Sequence, residues 1–288
     1  MHIPLPPVAL PAEVLALAQE YDEGRREAVA PRDAATVVLT RAGADGSAGP
    51  EVYLLSRHTT MAFAGGMAVF PGGGVDPRDA HEGVPWAGPS PASWAAQLGC
   101  EEIEARALVC AAVRETFEES GVLLAGPSAS EVATDVSGDD WEADRVALET
   151  RELSLTELLS RRGLVLRSDL LGAWAGWTTP AFEPRRYRTW FFVAALPAGQ
   201  VTRDVSSESV SVQWMPASRA VELAEEGALA LMPPTYLTCL DVARFRDPDA
   251  LLAEAASRRI DMFTPRVEGE HLSLMPLHRS LLAARGRL

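Results

Sequence analysis

The run AATVVLTR over residues 34–41 is apolar and β-branched, and EVYLLSRH over 51–58 repeats the pattern after the turn-like AGADGSAGP. Two such runs about one turn predict a pair of strands. Upstream, residues 11–22 place apolar side chains at helical spacing and predict a short amphipathic helix. MAFAGGMAVFPGGGVD is apolar, glycine-rich and leads into a loop. Residues 76–100 are rich in Pro, Gly, Ser and Trp with weak periodicity, and read as an inserted loop. A helix is predicted from about Glu101 to Ser120, stopped by Gly121. Residues 128–163 turn polar and then helical, as a second insertion. LLGAWAGWTTP, RTWFFVAALP and SVSVQWMPA predict strands, and ASRAVELAEEG, PPTYLTCLDVARF and ALLAEAASRRI predict helices. The stretch DMFTPRVEGEHLSLMPL alternates like a late hairpin. With no internal repeat or linker, the pattern implies one mixed α/β (α+β) domain. It divides into an N-terminal helical segment (1–33), a central region (34–220) with insertions at about 76–100 and 128–163, and a C-terminal helical extension (221–288) packed on the same domain.

Composition narrows the function classes. The 288 residues are 47% hydrophobic and 23% charged, an ordinary globular balance. A net charge of −14 speaks against a nucleic-acid polymer or an anionic membrane as partner, since both need basic surface. It leaves room for a small anionic ligand held by a cation and local arginines. All 26 basic residues are arginine, and lysine and asparagine are absent, a codon bias without functional content. Cys100, Cys110 and Cys239 form no CxxC pair and are odd in number, against a disulfide framework or zinc ribbon. The N-terminal stretch lacks a basic segment and is broken by prolines and acids, so no signal peptide is expected; no apolar run reaches membrane-spanning length. A reducing cytoplasm fits these features.

The chemistry concentrates in AAVRETFEESGVLL, residues 111–124. At about 100° per residue, Glu115, Glu118 and Glu119 share one helix face, with Cys110, Val113 and Phe117 roughly opposite. The plain alternative is a solvated acidic face. Yet these carboxylates sit toward the helix C-terminus, where the dipole disfavours negative charge. Two carboxylates ~5 Å apart at an effective dielectric of ~20 repel by roughly 3 kcal/mol. A bound Mg²⁺ or Mn²⁺ would reverse that sign, and such hard cations take oxygen ligands.

R-E-x-x-E-E-x-G followed by an apolar residue, downstream of Phe70-Pro71-Gly72-Gly73 and a hairpin, resembles the Nudix hydrolase signature. The matching residues are Gly73, Arg114, Glu115, Glu118, Glu119, Gly121 and Val122. The departures are an insertion of about 27 residues between Gly73 and Arg114, Arg106 at the early glutamate position counted back from Arg114, and Thr116 at an apolar position. The resemblance implies a Nudix α/β/α sandwich with a mixed sheet, and hydrolysis of a diphosphate linked to another moiety. It implies Glu118 and Glu119 as principal metal ligands, Glu115 as a third ligand or base-side partner, and the Gly73 carbonyl as a backbone ligand. Arg114 is expected to orient the cluster through a salt bridge, for instance to Glu118. Glu208 is the nominee for a distant extra ligand or general base, with a solvent-facing strand end as the alternative and Glu183 as the weaker rival.

The substrate is less sharply marked. YLLSRHTTMAFAGGMAVFPGG partly resembles the coenzyme A diphosphatase signature through Leu54, Arg57, Gly66 and Phe70 to Gly73; His58 and Ala62 depart from it. The split motif, FEESGVLL, WTTP with RRYRTWFF, and LMPPTYLTCLDVARF together resemble the animal acyl-CoA diphosphatase branch. That resemblance implies CoA or acyl-CoA as substrate, and Arg57, Arg185 and Arg186 as phosphate contacts. Flanking ion pairs are the alternative for Arg185 and Arg186. Met232, Pro233, Pro234 and Tyr236 either line the pocket or simply open a helix. Trp174, Trp177 and Trp190 either stack on an adenine or fill the core. ADP-ribose, NAD(H) or a nucleotide sugar are rival substrates, and a non-catalytic ligand sensor is a rival class. The insertions shape the pocket, cover it, or form a homodimer interface. On this register Arg106 lies outside the chemistry. Arg106→Glu is therefore expected to leave turnover within a factor of about two, measured as product release at saturating substrate.

Overall fold

Strand β1 (Arg32–Ala42) is buried on both faces, and the rest of the fold follows from how its neighbours cover it. Ala35, Val37 and Leu39 point into one apolar cluster and Val38 into another, the period-2 alternation of a strand inside a three-layer fold. The computed structural model describes residues 5–43, 49–60 and 64–288. Ala62 and much of the turn between the first two strands lie outside the described residues.

After α1 (Ala12–Asp22) and β1 come β2 (Pro50–Arg57), β3 (Ala68–Val69) and β4 (Gly72–Gly74). A 3-10 turn (Pro77–Ala80), β5 (Trp86–Ala87) and α2 (Pro91–Leu98) lead to the long α3 (Glu102–Ser120). Then follow β6 (Ala125–Gly126), α4 (Asp139–Glu149), α5 (Leu155–Arg162) and β7 (Val165–Arg167). The chain re-enters the sheet with β8 (Leu171–Thr178), β9 (Tyr187–Ala195) and β10 (Ser209–Pro216). It ends in α6 (Ala217–Glu225), α7 (Pro233–Val242), α8 (Pro248–Ala255), β11 (Met262–Phe263), β12 (Val267–Glu268), β13 (His271–Leu272) and α9 (Pro276–Ala284).

The main sheet runs β10-β2-β1-β9-β8-β11, with β3 on β2 and β4 on β1. It is mixed: β1 pairs antiparallel with β2 and β4 but parallel with β9, from Arg32 opposite Tyr187 to Thr40 opposite Ala195. On one face Tyr53, Leu55, Trp190 and Phe192 pack with Val109, Val113 and Phe117 of α3 and with Leu158 and Leu159 of α5. On the other, Val52, Leu54, Phe191 and Val193 pack with Val221 of α6, Leu237 of α7 and Leu251 of α8. This is the expected α/β/α sandwich.

Three local readings change. Residues 76–100 are not a plain loop, because Ser90 caps α2, Pro91 opens it and Gly99 closes it at φ 68°. The late hairpin is confined to β12 and β13, while β11 joins the main sheet parallel to β8. Helix α9 follows it, unforeseen in the sequence, with Pro276 in its first turn. Trp174, Trp177 and Trp190 are core residues at 3%, 6% and 2% exposure, and Trp190 Nε1 donates to the Leu98 carbonyl at 3.1 Å. Among the described residues no helix is long and apolar enough to cross a membrane.

His278 docks α9 by stacking on Trp177, with centroids 5.1 Å apart and planes 10° from parallel. Its Nδ1 is buried with no hydrogen-bond partner among the described residues. Burial pushes the imidazole down to about 4; Asp241 opposes the shift and Arg258 adds to it. The unfolded chain therefore takes up a proton below about 6.5 that the folded chain refuses until about 4, so stability falls as pH falls through that window. His278→Phe retains the stack and is expected to remove up to about 3 kcal/mol of that acid-side loss. Denaturant midpoints of both proteins from pH 7 to 4 would check it; parallel curves would refute it.

Candidate active site

The site is built where β4 presses on α3. Helix α3 begins with a reciprocal cap between Glu101 and Glu104, and Gly121 ends it at φ 71°. Its apolar residues pack on the sheet, which turns Arg114, Glu115, Glu118 and Glu119 toward the Gly72–Gly74 strand. A Cβ on Gly72 would stand 2.5 Å from the Ala35 carbonyl oxygen, and one on Gly73 would stand 2.5 Å from Glu115 Oε1. Only glycine permits this approach. The Gly72 amide donates to Glu119 Oε2 at 2.8 Å, and Gly73 lies opposite Ala35 in the ladder.

Arg114 organises the cluster. Its Nη1 donates to Glu115 Oε1 at 2.8 Å and to Glu118 Oε2 at 3.1 Å, so the salt bridge to Glu118 is present. Its Nη2 donates to the Gly74 carbonyl and to Asp79 Oδ2, both at 2.9 Å, while Nε faces Asp79 Oδ1 at 3.1 Å. One planar fork thus serves three carboxylates and a carbonyl, a geometry lysine does not have. Burial opposes its charge, but Glu115, Asp79 and Glu118 outweigh that and raise its pKa.

Asp79 is 4% exposed and was missed in the sequence. Counting back from Arg114 puts Arg106 at the motif's early acidic position, but Arg106 lies 3.8 Å from Glu82 and from Glu102, away from Arg114. Counting forward from Gly73 puts Asp79 there. The inserted residues therefore follow Asp79, and the 3-10 turn that begins at Pro77 delivers its carboxylate to Arg114, held by the Asp76 amide at 2.9 Å.

The acidic face is not solvated. Glu118 and Glu119 are 7% and 9% exposed. Burial, then the charge of Glu115, pushes Glu118 up to about 7 against the pull of Arg114. Burial likewise raises Glu115, and burial with the Glu115 charge raises Glu119 well above the carboxylate range. Glu208, at the approach to β10, pairs with Arg57 at the end of β2, and its charge adds to the shifts of Glu115 and Glu119. Arg57 opposes the shift at Glu119, and its buried Nε has no partner among the described residues.

The structure thus brings Arg57, Gly73, Arg114, Glu115, Glu118, Glu119 and Glu208 to one region. Arg185 and Glu183 are exposed on the turn before β9. Arg186 donates to the carbonyls of Thr179 at 3.0 Å and Val29 at 2.8 Å, so its guanidinium is committed to backbone. Pro233 and Pro234 occupy the first turn of α7, and Tyr236 is buried with its hydroxyl on Glu225 at 2.7 Å; these residues open a helix. Among the described residues, no three His, Cys, Asp or Glu side chains surround a common point that would hold a cation. Glu115 and Glu118 face Arg114 and Glu119 faces the Gly72 amide. In kind the donors fit a hard divalent cation: all are oxygens, and the carboxylates outnumber the arginines among them.

A mixed sheet between two helical layers, with this acidic helix against a glycine strand, defines the Nudix class of fold and site. The family model described as NUDT19 Nudix domain matches residues 99–244, half of the chain, and the protein belongs to the Nudix family. It is 31% identical over 198 residues to the putative nudix hydrolase 7 of Caenorhabditis elegans, covering 69% of this chain and 57% of that one. It is 25% identical over 222 residues to the acyl-coenzyme A diphosphatase NUDT19 of Xenopus laevis, covering 65% and 58%. The chain therefore spans less than two thirds of the length of these two relatives. A crystal structure of a NUDIX hydrolase from Alicyclobacillus acidocaldarius superposes with a TM-score of 0.67 at 25% identity, over 81% of this chain and 99% of that one.

A carboxylate whose folded pKa is raised stabilises the fold only while protonated, so its contribution is lost as pH climbs through the window from about 4.5 to about 7. Without a divalent cation, Glu118→Gln is expected to be more stable than the parent at pH 8, by roughly 1–3 kcal/mol, and equal to it near pH 4. Melting curves in chelator at both pH values check this. A variant less stable at pH 8 would show that the Arg114 bridge outweighs the crowding.

Proposed function

We propose that the protein hydrolyses the diphosphate of CoA or acyl-CoA to 3′,5′-ADP and a phosphopantetheine, using Mg²⁺ or Mn²⁺. The observation that carries the reading is the buried set Glu115, Glu118 and Glu119 around Arg114, pressed against Gly73. The name of the Xenopus relative supports the choice of substrate.

Glu118 and Glu119 would be the principal ligands, with Glu115 and the Gly73 carbonyl completing the set. When bound, the cation neutralises the diphosphate and lowers the pKa of the attacking water. Arg114 opposes the protonation of Glu115 and Glu118 and fixes the direction of both side chains. Glu208, whose side chain is 49% exposed beside Arg57, would take the proton from water. Water adds to one phosphorus, the bridging oxygen leaves with the other phosphate, and Glu208 holds the proton. Arg57, whose Nε has no partner among the described residues, is the arginine we assign to the substrate phosphates. Arg186 is not retained in that role.

Product release from CoA, acetyl-CoA, a long-chain acyl-CoA, ADP-ribose, NADH and a nucleotide sugar, each with Mg²⁺ and with Mn²⁺, tests it. Formation of 3′,5′-ADP from the CoA compounds is expected to dominate, and Glu119→Gln to lower turnover by about a hundredfold or more with the fold intact. Preferred turnover of another panel member would discard the CoA assignment. Parent-like activity of Glu119→Gln would discard the site.

A further inference from the structure

The last turn of α3 carries Glu118 and Glu119 but has no basic residue of its own to meet its free carbonyls. The second insertion supplies one. Arg145 of α4, 3% exposed, donates from Nη1 to the Glu118 carbonyl at 2.7 Å. The same Nη1 reaches Glu149 Oε2 at 3.0 Å, while Nε and Nη2 bind Glu142 Oε1 at 2.9 and 2.7 Å. The other Glu149 oxygen, Oε1, accepts from the Ser207 amide at 3.2 Å and from its hydroxyl. Ser207 immediately precedes Glu208. Arg203 runs beside this path: its amide donates to the Ser120 carbonyl at 2.9 Å and its Nη1 to Glu142 Oε2 at 2.7 Å. A continuous chain of charge-assisted bonds thus links the end of the acidic helix, through α4, to the segment that bears Glu208.

We propose that Arg145 and Glu149 are positioning residues of the diphosphatase site, through which α4 holds Glu208 in register with Glu118 and Glu119. The proposal rests on the reading of Glu208 as proton acceptor given above. Ser207 and Glu208 are exposed and lie outside β10, so apolar packing does little to place them. The ladder beyond them shifts register between Ser209 and Ser211, which weakens its hold further. The remaining ties at Glu208 are the Arg57 pair, the His58 amide on its carbonyl at 3.1 Å, and the Ser206 hydroxyl facing its amide at 3.3 Å. The last two fix backbone, and the largely buried Arg57 holds the carboxylate without fixing the backbone of Ser207. Arg203 ties the start of this segment to the Ser120 carbonyl of α3, and next to Glu208 itself the tie toward that helix is the one from Ser207 to Glu149.

Glu149→Ala in the full chain is the test, because it cuts the link to Ser207 and leaves Arg145 on Glu142 and on the Glu118 carbonyl. Amide hydrogen exchange without metal is expected to quicken about tenfold at Ser207 and Glu208. With the diphosphate that the parent hydrolyses, kcat is expected to fall about tenfold with KM within twofold. In a Glu208→Gln background the same substitution should change kcat by less than about twofold, since it acts through Glu208. Unchanged exchange at Ser207 and Glu208 would overturn the proposal, and so would an equal loss of kcat in both backgrounds, which a purely structural role produces. If the parent hydrolyses no diphosphate, the functional reading fails and the positioning role falls with it; quickened exchange in that case would show a structural tie only.

Discussion

Arg114 is the interaction on which the arrangement depends. It is 8% exposed, yet it binds Asp79, Glu115, Glu118 and the Gly74 carbonyl at once. Burying so many carboxylates without a cation would cost several kcal/mol each or drive them neutral. With Arg114 among them, the helix can turn its acidic face inward. The bond to Gly74 ties that face to β4, and β4 is tied to β1 at the middle of the sheet. The central strand, the glycine turn and the acidic helix therefore share one fixed point.

That fixed point explains how the motif tolerates its insertion. Asp79 and Arg114 are adjacent in space although 35 positions apart in sequence. Lengthening a loop whose ends are held costs little, about 0.6 kcal/mol per doubling. Here the added chain also repays part of that through its own burial: Trp94 and Leu98 of α2 are each 2% exposed in the main core, and the Leu98 carbonyl takes the Trp190 indole N–H. The second insertion follows the same logic from the other end of α3, with Arg145 on the Glu118 carbonyl. Both insertions brace the acidic helix.

The central strands were legible because both faces of the sheet are covered, which forces near-continuous apolar runs such as VVL at 37–39. The spacing of Arg114, Glu115, Glu118 and Glu119 was legible because a helix converts spacing directly into a shared face. Their burial was not, since hydropathy cannot register that an arginine and a glycine strand will close over them. Asp79 was hidden by the direction of counting: an insertion shifts every position on one side of it. Helix α2 is eight residues long, too short for periodicity to show, although its cap and stop residues were present. The commitment of Arg186 to Thr179 and Val29, and the path through Glu149, join segments distant in sequence and carry no local signature.

The imbalance of charge at the site then has a direction. Arg114 and Arg57 face five carboxylates: Asp79, Glu115, Glu118, Glu119 and Glu208. Were stability the only demand, a second buried arginine or an apolar residue at position 119 would serve better, as replacement of buried charge often does. Among the described residues Glu119 instead accepts from one backbone amide, and burial raises its pKa well above the usual value. Ionised, a group so placed costs the fold stability unless a positive charge joins it. Arg57, whose charge favours the ionised form of Glu119, is itself paired with Glu208. Glu119, beside Gly72 and without a bond to Arg114, is thus the carboxylate whose ionised form is least compensated, and a cation there would favour its ionisation most.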